Sequence, residues 1–179
     1  LEERYAKNRL GLTRQLRYSP RSENSLDVTL SLNGIPIATL ELKNAMTGQT
    51  VQDAVRQYRK DRDPRERIFE FKKRTLVHFA VDTDAVLMTT RLAGTATHFL
   101  PFNKGDGGGA GNPVDPLGRN YRTAYLWEEV LATDSLLNLL ARFVHLQVDE
   151  KRDDQGRKVK VEQLVFPRYH QLEAVRLLV

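Results

Sequence analysis

The stretch Leu26-Asp27-Val28-Thr29-Leu30-Ser31-Leu32-Asn33-Gly34-Ile35-Pro36-Ile37-Ala38-Thr39-Leu40-Glu41-Leu42-Lys43 decides how the chain folds. Leu26, Val28, Leu30 and Leu32 alternate with Asp27, Thr29 and Ser31, the period-two pattern of a strand with one buried face. Asn33-Gly34 is a strong hairpin signal, and Ile35–Lys43 reads as the returning strand. Two carboxylates and a lysine sit in this hairpin, and register decides whether they meet. A two-residue loop pairs Leu32 with Ile35, puts Asp27 opposite Leu40, and sends Glu41 and Lys43 to the other face. A three-residue loop, Leu32-Asn33-Gly34 with Gly34 left-handed in a bulge, pairs Ser31 with Ile35 instead. Asp27, Glu41 and Lys43 then share one face, while Leu26, Val28 and Leu30 share the other with Ala38, Leu40 and Leu42. The apolar pattern and the polar cluster select the same register, so the three-residue loop is expected.

Two neighbouring carboxylates can hold a hard divalent cation, with backbone carbonyls and waters completing the oxygen shell. Lys43, two residues after Glu41, points to the same side and can reach a phosphate there. That set suits metal-assisted phosphodiester hydrolysis. Working outward, a short helix is expected to end near Arg9, followed by an extended segment Leu12–Tyr18 and a turn at Ser19-Pro20. Downstream, Thr50 and Asp53 resemble a helix-opening cap, and Val51, Ala54, Val55 and Tyr58 line one face of a helix to about Arg62. Pro64 can start a second helix through Phe71. Leu76–Val81 and Ala85–Thr90 read as a further strand pair, and His98–Pro101 as another strand. The glycine-rich loop Gly105–Asn112 is no phosphate-binding loop, because no Gly-Lys-Ser/Thr follows it. Tyr125–Leu131 and Leu136–Leu146 read as amphipathic helices, with Asp134 as a cap between them and with Trp127, Leu131 and Leu136–Phe143 assigned to the core. Glu150–Lys160 reads as a charge-rich hinge, and Phe166–Val179 as the beginning of another element.

The composition suits a cytoplasmic globular chain. Its 179 residues are 40% apolar and 28% charged, enough for one domain with a short appendage and a core that needs no staples. The absence of cysteine excludes disulfides, thiolate metal sites and a cysteine nucleophile. No apolar run approaches the roughly 18 residues of a membrane span. The chain opens on Leu1 rather than Met, as expected of an interior piece of a longer protein. The net charge of +5 is uneven. Residues 1–74 carry 16 basic and 10 acidic side chains, and Arg56–Arg74 alone carries nine against four. A basic half points to a polyanion, most often nucleic acid, although charge alone is more often a solvated helix face. Arg14 and Arg17, on the extended segment, are candidate phosphate contacts. His78, His98, His145 and His170 lack the spacing of a metal site. Ser22 and Ser25 sit in no nucleophile elbow.

An ordered series of segments follows the hairpin: Arg56-Gln57-Tyr58-Arg59, His78-Phe79-Ala80-Val81-Asp82-Thr83-Asp84, Met88-Thr89-Thr90, Phe99-Leu100-Pro101-Phe102-Asn103-Lys104-Gly105 and Tyr125-Leu126-Trp127-Glu128-Glu129. Together with Asp27 and Glu41-Leu42-Lys43, this series resembles the N-terminal PD-(D/E)XK nuclease region of the restriction (R) subunit of type I restriction-modification enzymes, over nearly the whole chain. The resemblance implies an α/β fold, a restriction-endonuclease-like mixed sheet flanked by helices. It implies a Mg²⁺-dependent DNA endonuclease, with Asp27 and Glu41 as metal-binding carboxylates, Leu42 offering a backbone carbonyl, and Lys43 as the catalytic lysine. Tyr58 matches the tyrosine of the family's Gln-x-x-x-Tyr helix motif, but Ala54 stands at the glutamine's position, leaving Gln52 and Gln57 as substitutes. Leu26 stands where the family has proline. Arg56, Tyr58, Arg59 and Lys60, with Arg14 and Arg17, are the expected DNA contacts, and Glu2 or Glu3 a further acid near the metal.

The same resemblance divides the chain into a nuclease domain with its following helices over 1–147, a charged hinge over 148–165, and the start of a motor region over 166–179. There Gln171 matches a glutamine that reads adenine, with ATP used in the intact subunit only. The implied partners are double-stranded DNA and the methyltransferase and specificity subunits, in the cytoplasm of a prokaryote. The alternatives are a non-cleaving DNA-binding or subunit-docking domain, and another PD-(D/E)XK nuclease of repair or recombination.

Overall fold

The computed structural model describes residues 5–152 and 154–178. Glu2 and Glu3, and the first residues of the helix expected to end near Arg9, lie outside them. A six-stranded mixed sheet carries the fold, in the order β1 (Leu10–Arg17), β2 (Ser25–Leu32), β3 (Ile35–Leu42), β4 (Val77–Val81), β5 (Val86–Thr89) and β6 (Leu100–Pro101). Every neighbouring pair is antiparallel except β3–β4, which is parallel. A parallel pair needs a crossover, and α1 (Val51–Lys60) supplies it. Its start is fixed as the sequence predicts: the Asp53 carboxylate accepts from the Thr50 backbone N–H at 2.8 Å. Val51, Ala54, Val55 and Tyr58 are buried on one stripe, packing with Ile68, Phe69 and Ala80 against one face of the sheet.

The opposite face meets the C-terminal part of the chain. Ala38, Leu40, Phe79 and Met88 pack there against Phe102, Tyr125, Leu126 and Leu139 of the elements that follow the sheet. Phe166, Tyr169 and Leu172, from the segment opening α3 (Tyr169–Leu177), complete the same cluster. The segment expected to begin a separate element is therefore built into the main core.

Several expectations need correction. Pro64–Phe71 forms only a 3-10 turn, Arg67–Phe69. Upstream of it the Asp63 carboxylate takes the Arg65 N–H at 3.0 Å and offers the backbone a turn in place of a helix. Asp134 lies inside the first turn of α2 (Thr133–Arg142), whose N-cap is Ala132. Residues 148–165 are no hinge: β7 (His145–Arg152) and β8 (Lys158–Val165) pair as an antiparallel hairpin. Tyr125–Leu131 is a π-helical turn over Leu126–Val130, closed by the Leu131 N–H on the Leu126 carbonyl at 2.8 Å. No helix among the described residues is long and apolar enough to cross a membrane.

Candidate functional site

The β2–β3 hairpin reaches the expected arrangement by a different route. Its loop has two residues, Asn33 (φ 52°) and Gly34 (φ 83°), both left-handed as a type I′ turn requires, so Leu32 pairs with Ile35. The pairing then slips: Ser31 faces Pro36, but Leu30 faces Ala38, leaving Ile37 as an extra residue in β3. Pro36 has no N–H to give a ladder, and a bulge is where a strand tolerates it. One inserted residue reverses the side-chain alternation. Val28 faces Leu40 at the end of the ladder, and just beyond it the carboxylates of Asp27 and Glu41 are close enough to interact. The three-residue loop was the wrong device, yet the shared face survives. Val28 and Leu30 pack on the face of Ala38 and Leu40 as expected, whereas Leu26 packs with α1.

Thr39 and Glu41 turn toward α1. Glu41 is 0% exposed. Its Oε1 receives the guanidinium of Arg62, with Nε at 2.8 Å and Nη2 at 2.7 Å. Arg62 is itself 3% exposed, donates to the Ser25 carbonyl at 2.7 Å, and lies 5.7 Å from the Tyr18 ring centroid. Oε2 of Glu41 is buried with no hydrogen-bond partner. Burial raises the Glu41 carboxyl to about 7, with the Asp27 carboxylate raising it further and Arg62 opposing.

Asp27 is half-buried and held at both oxygens. The Leu42 N–H reaches Oδ2 at 2.8 Å, and the Gln15 amide reaches Oδ1 at 3.0 Å. Gln15 breaks the β1–β2 ladder, at φ 50° between the pairs Arg14–Val28 and Leu16–Leu26, and its own carbonyl oxygen takes the Ser25 hydroxyl at 2.8 Å. A non-glycine residue in the left-handed region inside a strand is a local cost that this contact helps to offset. Lys43 follows Glu41 at the carboxyl end of β3, anchored by its N–H on the Val81 carbonyl at 2.8 Å. Its half-buried side chain forms no hydrogen bond or ion pair among the described residues.

This set can hold a hard divalent cation. The unpartnered Oε2 of Glu41, beside a second carboxylate, is the kind of oxygen such a cation satisfies, and Mg²⁺ commonly takes only one or two protein carboxylates and keeps several waters. No group of three or more His, Cys, Asp or Glu side chains suited to a metal occurs among the described residues, so these two carboxylates are the side-chain donors available.

The remaining sequence candidates separate. Arg56 and Lys60 are exposed on α1, Arg56 paired to Asp53 at 2.9 Å and Lys60 without a side-chain partner among the described residues. Arg59 donates its Nε to the Thr97 carbonyl at 3.0 Å. Arg14 and Arg17 are exposed on β1, Arg17 paired to Glu23 at 2.7 Å. Tyr58 is taken off the DNA-facing surface: its ring is fully buried, and its hydroxyl meets the Thr39 hydroxyl at 2.9 Å. Thr39 in turn lies 2.7 Å from Nδ1 of His78, whose imidazole burial pushes down to about 3. Gln57, not Gln52, lines a hollow with Lys43 and Lys60. Gln171 caps α3, its side-chain oxygen accepting from the Arg168 N–H at 2.9 Å. Trp127, assigned to the core, is 44% exposed.

Arg62 and Gln15 are the functional residues that sequence reading missed. Arg62 carried a signal, since it continues the buried stripe Val51, Val55, Tyr58 at helical spacing. A charged residue on an apolar stripe asks for a buried partner. Gln15 carried none, because its role comes from a backbone distortion. Compared with known proteins, residues 2–97 match the family model described as type I restriction enzyme R protein N terminus. No curated protein and no solved structure matches the chain.

Proposed function

The chain belongs to the family of type I restriction enzyme R protein N termini, and on that premise we propose that it is the subunit's Mg²⁺-dependent DNA endonuclease domain. The observation that carries the reading is the pairing of Asp27 with a buried Glu41 whose Oε2 is unpartnered, beside an unpaired Lys43. Asp27 and Glu41 hold the cation. When bound, it supplies Lewis-acid stabilisation of charge on the phosphate and a nucleophile at neutral pH. Arg62 grips Oε1 of Glu41 and leaves Oε2 free. Gln15 and the Leu42 N–H fix the Asp27 carboxylate, and the Leu42 backbone carbonyl is the further oxygen offered to the cation. Lys43 places its ammonium on the phosphate oxygens, where negative charge grows in the transition state. Arg56 and Lys60, with Arg14, hold the DNA backbone through contacts that do not read its sequence.

Sequence recognition then falls to the specificity and methyltransferase subunits, and ATP use to the intact subunit, in a prokaryotic cytoplasm. Gln171 belongs to that adenine site only if α3 gives up its cap. The test is conversion of supercoiled plasmid to nicked or linear forms, by the chain and by the assembled enzyme, with Mg²⁺ and with chelator. Cleavage that needs Mg²⁺ and fails in Asp27→Asn supports the reading. An assembled enzyme that translocates and cuts normally with Asp27→Asn refutes it.

A further inference from the structure

Lys43 is the common wall of two hollows. One is polar and lies on the α1 side, lined by Gln57, Arg56 and Lys60. The other, about 120 Å³, opens at the carboxyl ends of β3 and β4 and is walled by Leu42, Tyr121 and Trp127, with Val81 and Thr123 behind. The proposed nuclease reading leaves this second hollow unused.

Its walls are unusual for a surface. Trp127 is 44% exposed, Tyr121 58% and Leu42 42%, a contiguous apolar and aromatic patch beside a cation. The π-helical turn explains why Trp127 faces out: Leu126 and Val130, at 0% exposure, take the inward positions. π-Helical turns of this kind recur at functional sites. The floor is held independently of any ligand. The Thr123 hydroxyl donates to the Asp82 carbonyl at 2.7 Å, and the Asp82 carboxylate is occupied by the N–H groups of Val51, Asp84 and Ala85. No unpartnered carboxylate among the described residues lining the hollow calls for a cation. Its open chemistry is aromatic faces and the ammonium of Lys43.

Binding sites for single-stranded nucleic acid combine a cationic track along the backbone with aromatic faces on which bases stack. The two hollows on either side of Lys43 have that division of labour, with a cationic side at Arg56 and Lys60 and a stacking side at Trp127 and Tyr121. A hollow of about 120 Å³ has room for a small planar group against its aromatic walls. We propose that this hollow receives an unstacked nucleobase of the DNA strand whose phosphate lies at Lys43, so that the site takes locally unpaired DNA in preference to continuous duplex. This rests on the nuclease reading, and it names the form of DNA that the site accepts. A protein plug is the competing occupant, but one seated here would also cover Lys43.

Trp127 is the chain's only tryptophan, so its fluorescence reports this hollow alone. The 179-residue chain is titrated, in chelator, with a single strand of about 12 nucleotides, with the same strand carrying abasic sites, and with a closed-end duplex. The base-bearing single strand quenches and shifts the emission; the abasic strand and the duplex bind through phosphates and leave it unchanged. By anisotropy of labelled strands, Trp127→Ala weakens single-strand binding about tenfold, Trp127→Phe restores most of it, and duplex binding is unaffected. Emission that ignores the single strand, or responds equally to abasic and duplex DNA, overturns the proposal while leaving the nuclease reading intact. Emission that responds only to added methyltransferase or specificity subunits overturns it too and makes the hollow a docking face. If none of the three nucleic acids binds, the nuclease reading itself has failed, and this inference falls with it.

Discussion

Replacing Glu41 with glutamine should flatten the dependence of stability on pH without flattening that of its neighbours. Glu41 titrates at about 7 in the folded chain, against an ordinary value of 4.5, because burial penalises its charged form. A carboxyl raised in this way contributes stability that is whole below about pH 4.5 and is lost as pH climbs through 7, since the unfolded chain ionises freely first. The gap amounts to about 3 kcal/mol, at about 1.4 kcal/mol per unit. In Glu41→Gln that decline is absent, because the amide has no proton to release and its oxygen still accepts from Arg62. The cost of leaving Arg62 without a counter-charge is uniform over this range, since a guanidinium stays protonated throughout. His78 pulls the other way: its imidazole, held near 3 by burial, adds stability as pH rises from about 3 to 6.5, in wild type and variant alike. The informative quantity is therefore the difference between the two proteins, from urea unfolding in chelator at steps between pH 4.5 and 8. Mg²⁺ should then stabilise the wild type at pH 8, by about 2.7 kcal/mol at a hundred times its dissociation constant, and leave the variant unmoved. Parallel pH profiles for wild type and Glu41→Gln would refute the assignment of Glu41 as the desolvated carboxylate.

Three other substitutions test the remaining parts. Asp27→Asn should keep one of its two accepted hydrogen bonds, since its amide oxygen can take the Leu42 N–H while its NH2 cannot accept from Gln15, and should fold at some cost in stability but lose Mn²⁺ or Mg²⁺ binding by calorimetry along with plasmid cleavage. Lys43→Ala should leave the melting temperature nearly unchanged and lower DNA affinity only by the one phosphate contact it loses, while cleavage by the assembled enzyme falls by about 10²–10³, with ATPase continuing; wild-type cleavage would remove Lys43 from the mechanism. Arg56→Glu with Lys60→Glu should weaken binding to unrelated DNA sequences alike and reduce the salt slope by about one for each phosphate no longer neutralised; unchanged binding would return this face of α1 to ordinary solvated charge.

The shared face of Asp27 and Glu41 was legible because it depends on parity alone. Any device that adds one residue to the hairpin satisfies the apolar alternation on both strands. The sequence read at Asn33-Gly34 proposed a loop residue, whereas the chain spends its extra residue at Ile37, beside a proline that cannot donate. Pro36 was the available signal. The β7–β8 hairpin was missed for a compositional reason. Its valines Val148, Val159 and Val161 alternate with charged residues on strands with little core beneath them, and a strand solvated on both faces reads as a polar hinge. Trp127 was misplaced because the spacing of Leu126 and Val130 fits an ordinary amphipathic helix.

Arg62 makes the site's logic clear. A buried ion pair seldom stabilises more than apolar packing of the same volume, because desolvating two charges consumes most of the attraction between them. The Arg62–Glu41 pair is therefore a poor device for stability alone, and more so with Oε2 left unsatisfied. It makes sense as a positioning device. Arg62 is anchored at Ser25, where β2 begins, and grips one oxygen of Glu41, two residues short of Lys43. One guanidinium thereby ties the end of α1 to both strands that carry the carboxylates and leaves a single oxygen free. A bidentate grip would bury the same charge and leave nothing for a cation to bind. The one-oxygen contact is thus the feature that separates a metal-ready carboxylate from a merely structural one.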